Sequence, residues 1–443
     1  MSAASLSRIG PSTRRRPGSQ PIEYNLLLTA TLCLLAFGVV MVFSASSTTA
    51  LLGQSGDSAY YLKRTLIVGV LGLLMMRVLT LRGIRILRPV TPLVLVGSFV
   101  LLLAVLVPGF GVSANGASRW FGAGPFQVQP SEFAKLALVL YGAHLLAARP
   151  RMTRSIRSLT PYLSTVALAC ILMVAEPDLG TAIVVCLAAA ALLVAAGMKI
   201  RHLALLAGAL GAVLLLAIVI EPYRMHRLTG FLHPTGDPSG AGFQVIQAKI
   251  ALGSGGIFGV GLGQSLQKAF YLPEAHTDMI AAVIGEELGL AGISILIGLF
   301  GLFGYAGLRT AQRARDRYGK LLAAGLTSLI LVQATVNLFA VLGLAPLTGV
   351  PLPFVSYGNS SLLVMLAATG LLLNVARAQP ATASRRGSAA ARLRVVEGGR
   401  APRSGARAEA GRSVSRGAKS RHSRGRNRGT RSAGARRRRR ASG

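Results

Sequence analysis

The sequence predicts an all-α, polytopic integral membrane protein of about ten transmembrane helices, with a large extracellular loop between helices 7 and 8. Three observations carry this. Of the 443 residues 52% are hydrophobic and 14% charged, with a mean hydropathy of +0.55, too apolar for a soluble chain of this length. Apolar runs of bilayer length, roughly 17 to 25 residues, recur along it. Clusters of Lys and Arg mark every second connection between those runs.

The first run, 24–46, follows Arg14 to Arg16. It exceeds the ~7–15 apolar residues of a secretory signal, so it reads as an uncleaved first helix. The second, 65–80, is short, and Lys63 and Arg64 at its start can snorkel to the interface. Spans near 90–108, 132–148, 160–176, 180–198 and 203–220 follow. After a mixed-charge loop at about 221–278 come 279–308, 319–343 and 360–377.

Arg82, Arg85 and Arg88, then Arg149 to Arg157, Lys199 with Arg201, and Arg309 to Lys320 fall in one set of connections. The positive-inside rule makes that set cytoplasmic and places both termini inside. Residues 1–23 and 379–443 read as disordered cytoplasmic tails around a transmembrane domain at 24–378. From Arg377 onward 21 Lys/Arg stand against two Glu, in Gly/Ser/Ala-rich sequence that cannot bury a core. Attached to a membrane protein, such a tail suits anionic lipid headgroups, at about 1 kcal/mol per basic residue, better than a specific nucleic acid.

Cys33, Cys170 and Cys186 lie in apolar runs without CxxC spacing and read as packing residues, neither a disulfide framework nor a zinc site. "GSGGIFGVGLGQS" at 253–265 lacks G-x-G-x-x-G and G-K-[ST], so it reads as a flexible extracellular turn. Glycines 298, 301, 304 and 307 suit close helix packing.

Charge near the membrane is the functional signal, because a carboxylate at the bilayer centre costs about 2.5–3.5 kcal/mol. Glu132 and Lys135, three apart after Pro130, share a helix face. They form either a structural pair or, with Arg119, the lining of an outward polar cavity. Glu176 and Asp178 bracket Pro177 in a short link, where Asp178 can cap the next helix. In "YLPEAHTDMIAAVIGEELG", a helix starting near Thr277 puts Asp278, Ala281, Ala282, Gly285 and Glu286 on one stripe beside a groove. Asp278 then stands at the outer interface and Glu286 within the bilayer.

These pieces resemble the SEDS family of bacterial cell-wall proteins, the group containing FtsW, RodA and SpoVE. The motifs are "ANGASRWF", "QPSEFAK", "PDLGTA", "QAKIALGSGGIFGVGLGQSLQK", "YLPEAHTDMIAAVIGEELGLAG" and "NLFAVLGLAPLTGVPLPFVSYGNSS", in order over about residues 24 to 378. Asn359 stands where the family usually has a second glycine in S-Y-G-G-S-S, a change a left-handed turn tolerates. "ANGASRWF", "GAHLLAARP" and the basic tail look more like the septal FtsW group than RodA.

The resemblance implies a peptidoglycan glycosyltransferase in the bacterial plasma membrane. It would join lipid II to a nascent glycan strand outside the membrane, alongside a class B penicillin-binding transpeptidase and other division proteins. By motif match Asp278 is the catalytic residue, assigned as general base for the attacking 4-hydroxyl. Arg119 and Lys135 are expected to hold diphosphate, with Glu132 orienting Lys135. Asp178, Lys249, His276, Thr277, Ser356 and Ser360 are further substrate-site candidates. A divalent cation can assist the leaving group, but no metal-ligand cluster has diagnostic spacing. The alternatives are a lipid II flippase, a RodA-type elongation polymerase or a non-catalytic scaffold.

Overall fold

The computed structural model describes residues 20–52, 56–108, 111–114, 117–122, 127–236, 240, 242–268 and 271–378. The expected tails at 1–23 and 379–443 lie outside the described residues, except 20–23. The protein is all-α, with one small antiparallel hairpin of β1 (Val112–Ala114) and β2 (Ala117–Trp120).

Among the described residues, eight helices are long and apolar enough to cross a membrane. They are α1 (Ile22–Leu52), α2 (Tyr60–Leu106), α3 (Pro130–Ala148), α4 (Ile156–Ala175), α6 (Ile200–Ile220), α9 (Ile280–Arg313), α10 (Arg317–Val341) and α11 (Asn359–Arg377). A shorter apolar helix, α5 (Leu179–Ala195), packs between α4 and α10.

The run named α2 covers both predicted spans 65–80 and 90–108. Straight, its 47 residues would reach about 70 Å. Yet Tyr60 and Tyr61 at its start share a cavity with Arg119 and Trp120, too few residues past its end to bridge that length. The run therefore doubles back, in the region of Pro89 and Pro92, where Arg88 lies over the Tyr318 ring at the start of α10. Counting α2 twice and adding α5 gives the expected ten crossings.

At the centre stands α11, buried on nearly all sides. It runs along the first half of α2, where Gly72 meets Leu366, Gly83 meets Leu371 and Asn374 donates to the Thr80 carbonyl at 2.8 Å. At the periphery α6 buries no residue, as a lipid-facing helix should. Of the glycine row, Gly304 packs on Leu331 and Gly307 on Thr327, while Gly298 and Gly301 touch no neighbouring element.

The loop at 221–278 is more than a connection. It contains α7 (Pro222–Leu232) and α8 (Phe243–Ser254), and then the glycine segment packs against α9. Helix α9 breaks at Gly289 (φ 65°, ψ −160°), which leaves backbone groups that hydrocarbon cannot satisfy. The glycine segment satisfies them. Val260 and Gly261 donate to the Glu286 and Glu287 carbonyls, and Leu290 and Ala291 donate to the Gly256 and Ile257 carbonyls, each at 3.0 Å. The expectation of a flexible turn is therefore wrong, because the segment is bonded to α9 and a β-carbon at Gly255 or Gly259 would run into the backbone of residues 285–288.

The same segment accounts for the two buried acids. Glu286 accepts from Ser265 Oγ and from the Leu266 amide, the latter at 3.1 Å. Glu287 pairs with Lys268 at 2.9 Å and accepts from Ser44 Oγ at 2.6 Å. Both are structural anchors, and the proposed stripe from Asp278 to Glu286 does not exist. Helix α9 begins at Ile280, so Asp278 precedes it.

A β-carbon at Gly259 (φ +82°) would lie 2.1 Å from the Glu287 carbonyl oxygen, whereas one at Gly263 (φ +79°) meets nothing within 4 Å. Gly259→Ala is thus expected to abolish monodisperse folded protein in detergent. Gly263→Ala should cost only the left-handed strain, about 1–2 kcal/mol, read as a modest drop in melting temperature.

Candidate active site

One polar cavity of about 590 Å³ lies where the start of α2, the hairpin, α7, the 274–278 turn and the start of α11 meet. Arg64, Arg119 and Arg227 supply its cations, and Glu274 and Asp278 its carboxylates. Tyr61, His276 and Tyr357 form an aromatic wall, with ring centres 4.4 Å apart for Tyr61 and His276 and 4.9 Å for Tyr61 and Tyr357.

Asp278 is placed by backbone contacts rather than by a helix. Ala282 donates to the Met279 carbonyl at 2.9 Å, so Asp278 stays outside the helical ladder. Its own carbonyl accepts from Asn337 Nδ2 at 2.7 Å. Thr277 Oγ1 donates to Glu274 Oε2 at 2.9 Å and lies 3.3 Å from Asp278 Oδ1. Burial pushes the Asp278 carboxyl up to about 6, and the Glu274 charge adds to that. Arg227, the backbone amide and Thr277 pull the other way. Burial also lowers His276, opposed by Glu274, so its imidazole is neutral at pH 7.

Among the expected site residues, Asp278, Arg119, His276, Thr277 and Ser360 do line this cavity. Arg119 is braced from behind, donating Nε to the Glu176 carbonyl at 3.1 Å and Nη2 to that of Pro177. Ser360 accepts from the Gln129 amide at 2.9 Å and donates to the Gln127 carbonyl at 3.2 Å. Asn359 lines the cavity beside it.

Five expected residues lie elsewhere. Lys135 is fully buried, bound to Glu132 at 2.8 Å and to Gln333 Oε1 at 2.6 Å. It does not reach the cavity as a diphosphate ligand would, and Glu132 lies with it, because their shared helix face points into the α10 contact. Asp178 caps α5 through the Thr181 amide at 3.2 Å and accepts from Ser131 and Gln129 at 2.9 and 3.0 Å. Ser356 is buried, accepting from the Leu352 amide at 2.9 Å. Lys249 is exposed on α8 beside Gly343.

Glu176 is buried, and neither carboxylate oxygen has a hydrogen-bond partner. Burial and the nearby Asp178 push it up to about 8 against Arg119, so it is neutral at pH 7.

Sequence reading passed over Tyr61, Arg64, Arg227, Glu274 and Tyr357. Only Glu274, four residues before Asp278, carried a local signal; Tyr61 and Arg64 come from the start of α2, Arg227 from α7 and Tyr357 from the segment before α11. Arg227 stands next to Asp278, both about 3.9 Å from where a Gly349 β-carbon would be. A second cleft of about 370 Å³ begins at Arg119 and Arg227 and runs between α5, α7 and α10, lined mostly by Leu, Ile, Val, Phe and Pro.

Among the described residues no three His, Cys, Asp or Glu side chains converge on a metal site. Cys170 and Cys186 are free thiols 3.4 Å apart in packed helices, whereas Cys33, also expected to pack, is exposed on α1.

Fold and site define a multi-pass membrane protein with a charged, aromatic-walled cavity at one membrane face and an apolar cleft leading from it. The chain belongs to the FtsW/RodA/SpoVE family of cell cycle proteins, whose profile matches residues 24–380. It is 42% identical over 354 residues to stage V sporulation protein E of Bacillus subtilis, covering 80% of this chain and 96% of that one. It is also 42% identical over 359 residues to a probable peptidoglycan glycosyltransferase FtsW of Trichlorobacter lovleyi, covering 80% and 93%. Among solved structures, a peptidoglycan synthase complex whose title concerns coordination of polymerization and crosslinking matches with TM-score 0.66 at 32% identity, over 80% of this chain and 98% of the other. The rod shape determining protein RodA of Thermus thermophilus matches with TM-score 0.59 at 30% identity, over 80% and 97%.

Proposed function

We propose that this membrane peptidoglycan glycosyltransferase lengthens glycan strands from lipid II at the outer face of the bacterial plasma membrane, with Asp278 as general base. The carrying observation is the position of Asp278: a carboxyl raised to about 6, in a cavity that also holds three arginines. A base poised near working pH is what a sugar hydroxyl requires.

The nascent strand is held as an α-linked polyprenyl diphosphate. The 4-hydroxyl of lipid II gives its proton to Asp278 as its oxygen attacks the anomeric carbon, and diphosphate leaves from the opposite side. One displacement inverts the centre and gives the β-1,4 bond. Arg119 and Arg227, at the junction of cavity and apolar cleft, suit a diphosphate whose prenyl chain lies in the cleft. The arginines are placed to take the charge of the leaving group. The aromatic wall offers a face for sugar rings.

The basic connections support cytoplasmic termini, with the cavity on the outer face. The solved synthase complex supports a class B penicillin-binding transpeptidase as partner. Septal duty with other division proteins is the reading that the sequence motifs and the FtsW-named relatives support. The basic tail outside the described residues suits anionic lipids.

The test is strand formation from lipid II by the purified protein with its transpeptidase in lipid nanodiscs. Glycan polymer is the expected product. In liposomes, lipid II translocation without polymer would instead identify a transporter. Arg227→Ala is expected to raise KM at least about tenfold, since a hydrogen bond to a charged group contributes about 1.5–3 kcal/mol.

A further inference from the structure

The Asp278 carbonyl is held by a side chain from another helix, and that helix also holds the cavity floor. Asn337 and Gln333 lie one turn apart on one face of α10, and both are buried. Asn337 Nδ2 donates to the Asp278 carbonyl at 2.7 Å and to the Val350 carbonyl at 2.8 Å. Its Oδ1 is buried without a partner, so its hydrogen bonds are all made by the amide nitrogen. The orientation is fixed, because a flipped amide would set oxygen against two carbonyl oxygens. Gln333 Nε2 donates to the Pro351 carbonyl at 2.9 Å and to Ser361 Oγ at 3.2 Å, while its Oε1 accepts from Lys135. Pro351 and Ser361 line the same cavity as Asp278.

We infer that Asn337 and Gln333 are positioning residues that fix the distance between Asp278 and the 349–351 floor of the cavity. The contacts explain an otherwise odd feature, a carboxylate held at constant height without belonging to a helix. They also give the buried Lys135 and Glu132 a task. The ion pair holds the Gln333 oxygen, which leaves its nitrogen aimed at the floor. A misplacement of about 1 Å at a reacting group costs on the order of a hundredfold in rate.

This inference rests on Asp278 being the base, and the test separates the two claims. Steady-state polymerisation and its pH profile are measured on the full chain with its transpeptidase. Asn337→Ala is expected to lower kcat at least tenfold with KM within about twofold. The acid limb should move to lower pH as the freed carboxyl gains water. Gln333→Glu keeps the Lys135 contact, loses both donated bonds and should lower kcat less. Thr369→Val removes a buried hydroxyl bonded to the Met365 carbonyl and serves as the structural comparison. It should lower melting temperature while leaving kcat, KM and the acid limb unmoved.

If Asn337→Ala does not fold, Asn337→Asp preserves the shape, loses the paired donation and is judged by the same kcat and pH criteria. Parental kcat with an unmoved limb in a folded Asn337 variant overturns the inference, as does a rise in KM alone. Parental activity in Asp278→Asn would instead overturn the assignment of the base.

Discussion

Asp278→Asn is expected to leave a folded protein that polymerises lipid II about 10²–10⁴-fold more slowly, the usual contribution of a positioned base. Asparagine keeps the shape and the backbone contact to Asn337, so the loss is chemical. Stability should move the other way. A folded carboxyl raised from 3.8 to about 6 binds its proton more tightly than the unfolded one. Its stabilising contribution is complete below about pH 4 and is lost as pH rises through about 6. Above that, the folded chain carries an ionised Asp278 at a cost of up to about 3 kcal/mol. At pH 7.5 the variant should therefore melt no lower than the parent. Such an inactive but unimpaired protein marks a group held in place for chemistry.

Lys135→Ala should produce the opposite combination, loss of both folded protein and activity. Glu132 is 1% exposed, its Oε1 is paired only with Lys135 among the described contacts, and its Oε2 has no partner. Removing the ammonium strands a buried charge, at a cost of about 3–5 kcal/mol. Gln333 loses an anchor at the same time. Exchanging the charges, Lys135→Glu with Glu132→Lys, should restore much of the melting temperature and part of the turnover. If Lys135→Ala melts like the parent and only raises KM for lipid II, the lysine is a diphosphate ligand after all, and its burial against α10 is wrong.

The spans were legible because hydropathy over twenty residues is a local property. Even the fold-back within α2 was announced by Arg82, Arg85 and Arg88 beside Pro89 and Pro92. Asp278 was legible because an acid at the end of a polar loop and the start of an apolar helix has few structural excuses. The glycine segment was not. Its partners are backbone groups exposed by a break at Gly289, and a run of glycines reads alike as a turn or as a close contact. Nor could spacing tell which way Glu132 and Lys135 face, since the answer lies in Gln333, some 198 residues on. Arg227 was hidden because a single arginine in a mixed-charge loop has no pattern. Only the fold brings it beside Asp278.

The most direct test leaves Asp278 itself unaltered. The pH dependence of kcat/KM for lipid II polymerisation, measured from about pH 4.5 to 8.5 in nanodiscs, should show an acid limb near 6. The limb should persist in His276→Asn, which removes the neighbouring imidazole. A limb that vanishes with His276, or a flat profile across that range, would show that some other group takes the proton.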